Sequence, residues 1–317
     1  MTDNLMLFLG FNVFILILLA IDLGFFHKDS EEIKVKDALI SSAVWISIAL
    51  LFNLGVFYFR GSEAGLAFLT GYLIEKSLSV DNIFVFVMVF AYFNVALKHQ
   101  YKILFWGIIG ALIMRSTMIF AGAALIQTFH WALYIFGALL LITGIKMFTQ
   151  NSDDKIEPDK NPVVKLFKKF MPVTSEYHDD KFFIRKNSVL MATPLFIVLL
   201  VIETTDLIFA VDSIPAIFGV TQDPFIVYTS NVFAILGLRA LYFALAGIID
   251  QFHYLKYGLS LILVFIGTKM LIADFYKIPI FLALAIVLLI LISSVIISIL
   301  KPQVTIEKLP ITEEVNK

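Results

Sequence analysis

No cysteine occurs in the chain. Disulfides, thiolate-bound metal and c-type haem attachment are therefore excluded. Charge is scarce as well. Only 15% of the 317 residues are Asp, Glu, Lys or Arg, against 60% hydrophobic and a mean hydropathy of +0.93. A soluble domain carries about a quarter charged residues. Histidine occurs five times, as His27, His99, His130, His178 and His253, each at the edge of an apolar run or between runs. The net charge of −1 offers no basic surface for nucleic acid. The start, "MTDNLMLFLG", has neither a basic n-region nor a small-x-small cleavage site. It reads as a retained first span rather than a signal peptide.

What the chain does have is a succession of apolar runs about 20 residues long, enough to cross a hydrocarbon core about 30 Å thick. The expected fold is an all-α polytopic membrane protein with nine spans: 5–26, 38–59, 64–93, 101–126, 131–149, 194–218, 225–249, 256–275 and 278–300. Thr193-Pro194 and Asp223-Pro224 each pair a capping side chain with proline at the first helical position. With the N-terminus outside and the C-terminus inside, the inner segments hold seventeen of the 24 Lys and Arg, and the outer ones hold Arg60 and Lys277. The positive-inside rule favours that orientation. Within the one long inner loop, "NPVVKLFKKFMP" predicts a short amphipathic helix lying on the membrane or packed on other loops. "KFFIRKNSVLMAT" predicts a hairpin turning at Asn187-Ser188.

Five carboxylates lie deep inside these spans, apart from Asp22 and Asp274 near span ends, and each costs roughly 2.5–3.5 kcal/mol at mid-bilayer. Their order repeats. Glu75 and Asp81 of "EKSLSVDNIFVF" match Asp206 and Asp212 of "DLIFAVDSIPAIF". Arg115 of "ALIMRSTMIFAG" matches Arg239 of "AILGLRALYFALAG", and "LLITGIKMF" matches "LVFIGTKML". Each unit holds three spans, an odd number, so the second copy would enter the membrane from the opposite side. That predicts a 3+3 inverted repeat with its site near the midplane. The organisation is then 1–63 flanking helices, 64–149 first repeat, 150–193 inner loop, 194–275 second repeat, and 276–317 last span and tail.

Glu75, Asp81, Glu203, Asp206 and Asp212 face only three candidate counter-charges, Lys76, Arg115 and Arg239. Two carboxylates are left to bind a proton or hold a cation. Glu203 and Asp206, three apart, share a helix face. Asp206 and Asp212 are about 240° apart on a regular helix and would not converge. Pro215 lacks an N–H and crowds the carbonyl of Val211, which predicts a kink or opening beside Asp212. With Asn82 and Ser213 the donor set is all oxygen, which suits Mg²⁺, Ca²⁺ or Mn²⁺. Protons would compete for the same oxygens, since burial favours the neutral carboxyl, and proton exchange follows as an expectation. The G-x-G-D signature of intramembrane aspartyl proteases is missing and no enzymatic role is expected. A non-transporting adaptor acting through loop 150–188 is the rival from another class.

The stretches "DLGFFH" (22–27), "FLTGYLIEKSLSVDNIFVF" (68–86), "FHWALYIFGALLLITGIKMF" (129–148), "ATPLFIVLLVIETTDLIFAVDSIPAIF" (192–218), "DPFIVYTSNVFAILGLRALYF" (223–243) and "IGTKMLIADFYKIP" (266–279) resemble the TerC family of integral membrane proteins, especially its Alx-like bacterial branch. The resemblance covers about residues 20–300. It implies a bacterial plasma-membrane protein associated with manganese export. It carries the acidic motif onto Glu75, Asp81, Glu203, Asp206 and Asp212, with Asn82 and Ser213 beside them. The expectation is an exporter in which Asp81, Asp206 and Asp212 hold Mn²⁺, with Glu75, Glu203 and Asn82 contributing. No prosthetic group is expected, and the bilayer and the cation are the partners. Calcium or another cation is the alternative cargo, and the oligomeric state is open.

Overall fold

The computed structural model describes residues 2–26, 35–129, 131–149, 161–174, 176–178, 180–186, 189–246 and 254–301; side chains are described except at 2–5, 22–26 and 81. The elements, in order, are α1 (Thr2–Phe26), α2 (Val35–Tyr92), α3 (Leu97–Thr128), α4 (Ala132–Thr149), α5 (Pro162–Phe170), β1 (Phe183–Lys186), β2 (Val189–Ala192), α6 (Pro194–Phe218), α7 (Pro224–Leu236), α8 (Leu238–Leu245), α9 (Leu255–Leu271) and α10 (Ile280–Leu300). Among the described residues six stretches are long and apolar enough to cross a membrane: α2, α3, α4, α6, α7 with α8, and α10. Large apolar side chains face outward along them, Leu51 at 66%, Leu54 at 63% and Leu289 at 67% exposed. Lipid is the medium that such a surface fits.

Helix α2 is 58 residues long, about 87 Å at 1.5 Å per residue, nearly three times the hydrocarbon thickness. Its backbone breaks at Gly61, with φ 89° and ψ 172°. That region of backbone space is essentially reserved for glycine. The spans expected at 38–59 and 64–93 are therefore two arms of one element joined at a single residue. The span expected at 225–249 is divided at Gly237 into α7 and α8, and its last residues lie outside the described ones. The tail beyond 301 lies outside them too.

Helix starts follow local chemistry, with one correction. Asp223 accepts from the backbone N–H of Phe225 at 3.0 Å and also meets Arg60 at 3.0 Å. Thr193 does not cap α6. Its Oγ1 donates instead to the carbonyl of Lys181 at 2.7 Å, which ties the start of α6 to the hairpin. Asn161 caps α5 by accepting from Val163 and Val164. The hairpin forms as expected, β1 antiparallel to β2 with Lys186 opposite Val189. Helix α6 remains helical through Pro215 to Phe218 rather than opening at Asp212.

Packing is carried by rings at one end and glycines at the other. Phe11 of α1, Phe52 and Phe68 of α2 and Phe233 of α7 meet edge-on or tilted, at 4.9–6.1 Å between centroids. Helices α4 and α9 approach almost backbone to backbone. A Cβ on Gly267 would lie 2.7 Å from the carbonyl oxygen of Gly137, and one on Gly144 would lie 2.9 Å from that of Ser260. Ser260 Oγ donates to the Gly144 carbonyl at 2.5 Å. The contacts progress in opposite chain directions, so the pair is antiparallel.

Candidate functional site

The apolar interior falls into two clusters. One contains Ile74, Ile119, Ala210 and Ile217, and the other Ile83, Leu104, Val198 and Ile202. Along α6 the division comes between Ile202 and Ala210, and Glu203 and Asp206 fill it. Polar groups this deep need partners.

Arg115 supplies them for two acids. It is 2% exposed, and its Nε and Nη2 donate to Asp206 at 3.0 and 2.7 Å. Its Nη1 donates to Glu75, itself wholly buried, and reaches Ser213 Oγ at 3.4 Å. One guanidinium from α3 thus joins α2 to α6 through the repeat-matched acids Glu75 and Asp206. Asn82 adds a 3.4 Å bond from its Nδ2 to Asp206, leaving its own Oδ1 buried without a hydrogen-bond partner. Oε2 of Glu75 is likewise buried and unpartnered.

The other acids lie apart from this knot. Asp212 accepts from Thr143 Oγ1 of α4 at 3.1 Å. Glu203 fits its carboxylate against Gly110 of α3, where any Cβ would overlap it, and its Oε2 is buried with no hydrogen-bond partner. Neither forms an ion pair among the described residues. Asp81 lies in α2, and its side chain is outside the described ones. Among the described residues no three His, Asp or Glu gather as a ready-made metal cage. The expected counter-charges divide as well. Lys76 Nζ turns to the carbonyl of Ala234 at 3.4 Å, beside Gly237. Arg239 lies with its guanidinium carbon 4.3 Å from the centroid of the Tyr101 ring.

A small pocket borders this region. Phe86, Leu104, Ile202 and Leu238 line it with other apolar groups, and Asp206 and Arg239 are its charged members. Sequence reasoning missed Thr143 and Gly110. Thr143 immediately precedes the repeated Gly-x-Lys-Met, which was a usable signal. Gly110 carries none, because only the neighbouring helix gives it meaning. Asn231, wholly buried on α7 with neither amide atom hydrogen-bonded, is a further polar group of the interior.

Beside the membrane helices, the segment after α5 is tied to α3. His99 Nδ1 lies 2.5 Å from Asp180 Oδ1, and Lys102 donates to the Asp180 carbonyl. Tyr177 donates its hydroxyl to the carbonyl of Phe93 at 2.5 Å, and partial burial pushes its phenol pKa up.

Residues 60–305 match the family described as "Integral membrane protein TerC family". An uncharacterized membrane protein of Myxococcus xanthus, STKORF319, is 50% identical over 296 residues, covering 93% of this chain and 92% of its own. The putative membrane-bound redox modulator Alx of Escherichia coli K12 is 50% identical over 300 residues, 91% of this chain and 92% of its own. A Rickettsia bellii membrane protein is 42% identical over 294 residues, 93% and 97% respectively. No solved structure matches. With the family's description spanning most of the chain and half the residues shared along almost the whole length of bacterial relatives, this multi-pass membrane protein belongs to the TerC family.

Proposed function

We propose that this chain is a secondary transporter that exports divalent metal cations, manganese foremost, through the carboxylates at the centre of its membrane helices. The observation that carries the reading is the division of those acids. Arg115 engages Glu75 and Asp206, while Glu203 and Asp212 have no basic partner among the described residues. Carboxylates inside a membrane without a paired base mark ion or proton pathways far more often than scaffolding. The oxygens available, from Glu75, Asn82, Glu203, Asp206 and Asp212 together with Asp81 of the same motif, suit a hard divalent ion. The unpartnered oxygens of Glu75, Asn82 and Glu203 are the ones open to a ligand.

In this reading a cation enters by the pocket that Asp206 lines, displaces Arg115 from one of its acids, and leaves on the opposite side with proton exchange. The inverted repeat supplies the two-sidedness. Gly144 and Gly267 are the matched pair of the two repeats, and 137 is matched by 260. Exchanging the repeats therefore turns the Gly137–Gly267 contact into the Gly144–Ser260 contact, both of which occur. An antiparallel pair with that exchange symmetry has its two-fold axis perpendicular to the helices, hence in the membrane plane. This supports opposite insertion of the two copies; N-out and C-in is the orientation that the lysine and arginine distribution favours, and the bacterial relatives suit an inner membrane.

The E. coli relative's name refers to redox modulation. This chain has no thiol with which to do it. A redox effect would run through a redox-active cargo, which favours manganese over magnesium or calcium.

Purified protein in vesicles, loaded with Mn²⁺ and challenged with Ca²⁺ and Mg²⁺, tests the reading. Flux that Asp212→Asn abolishes is expected. Absence of any cation flux, with function lost only when residues 150–188 are replaced, would instead support the adaptor reading.

A further inference from the structure

Helix α5 has one apolar face, about 160° wide, and the fold covers only part of it. Val164 is 1% exposed, and the Phe167 ring lies 5.0 Å from that of Phe196. Phe196 belongs to the first turn of α6, and Phe183 of the hairpin packs on it at 4.6 Å. A ring in the first turn of a membrane span lies at the membrane surface, so α5 is held at that level. Asn161, accepting from two backbone N–H groups, fixes where the helix begins.

The rest of that face is uncovered. Val163, Leu166 and Phe170 are 39%, 55% and 82% exposed. At 100° per residue they fall within an arc about 60° wide. Lys169 lies about 60° beyond Leu166, and Lys165 and Lys168 complete the remaining, fully polar side. We propose that this arc docks into the anionic lipid surface of the membrane at the mouth of α6, with Lys169 at its border holding a headgroup phosphate and Lys165 and Lys168 adding to the attraction from the far side of the helix. Three large apolar side chains left uncovered beside the start of a membrane span fit lipid better than water. The charge bordering it has the sign that anionic lipid attracts. Each lysine near such a surface strengthens docking about fivefold, and three together by roughly 100-fold.

The chain lacks cysteine, so a single introduced one reports alone. Full-length Val163→Cys, labelled with an environment-sensitive fluorophore, is placed in nanodiscs of phosphatidylcholine alone or with about 30% phosphatidylglycerol. Spin-labelled lipid should quench the probe roughly 10-fold more in the anionic discs. Changing Lys165, Lys168 and Lys169 to Gln should erase that difference, and changing them to Arg should keep it, which separates lost charge from a misfolded helix. Equal quenching by aqueous acrylamide in both discs would overturn the proposal. So would shielding from both quenchers, since protein would then cover the arc.

Discussion

Arg115→Met removes the guanidinium that holds Glu75 to Asp206 and leaves both carboxylates buried. Glu75 and Asp206 are 0% and 3% exposed, so solvent cannot take over. Deleting one partner of a buried ion pair costs about 3–5 kcal/mol, mostly from the charge left behind. At about 2–4 °C per kcal/mol, a thermal scan of the purified protein should show the midpoint roughly 10 °C lower. The cost should be removable by chemistry alone. Adding Glu75→Gln and Asp206→Asn to Arg115→Met leaves no uncompensated charge and should restore most of the midpoint. A divalent cation should do the same for Arg115→Met while stabilising the wild type less. A ligand at 100 times its Kd contributes about 2.7 kcal/mol when it binds only the folded state. If Arg115→Met melts with the wild type, and neither the neutralising changes nor Mn²⁺ moves it, Arg115 is not the counter-charge of this site.

Asp212→Asn keeps an acceptor for the Thr143 hydroxyl, so it should fold normally while manganese retention in cells rises to that of a deletion strain. Gly267→Ala should cost about 1–3 kcal/mol, because its methyl would meet the Gly137 carbonyl at 2.7 Å and the Leu141 nitrogen at 2.8 Å. Gly55→Ala, with nothing within 4 Å, should be neutral or slightly stabilising in the same unfolding assay. Asp180→Ala releases His99, and limited trypsin digestion should then cut the segment after α5 faster than in the wild type.

Local chemistry was the legible part of this chain. Asp223, Pro194 and Pro224 mark helix starts because their effects stay within one turn. The hairpin follows from two short runs flanking the turn residues Asn187-Ser188. Thr193 misled because a hydroxyl chooses among acceptors, and a carbonyl twelve residues back in the hairpin satisfies it better than the helix end does. The turn expected between the second and third spans contracts to Gly61 because glycine alone can reverse direction there in a single step. At the site, the five acids and three bases could be named from hydrophobic context, but not matched. Arg115 and Arg239 are equivalent in the repeat, yet one sits between Glu75 and Asp206 and the other on Tyr101. That choice depends on how three helices lie against one another. Gly110, which makes room for Glu203, is invisible for the same reason.

The two close approaches of α4 and α9, Gly137 to Gly267 and Gly144 to Ser260, fall at positions that the sequence match pairs with each other. On the inverted repeat proposed above, a half-length ancestor able to insert either way up would already have possessed the joint and assembled as a pair of identical chains. Fusion would then have added only a fixed orientation, and with it the freedom for Arg115 and Arg239 to take different posts.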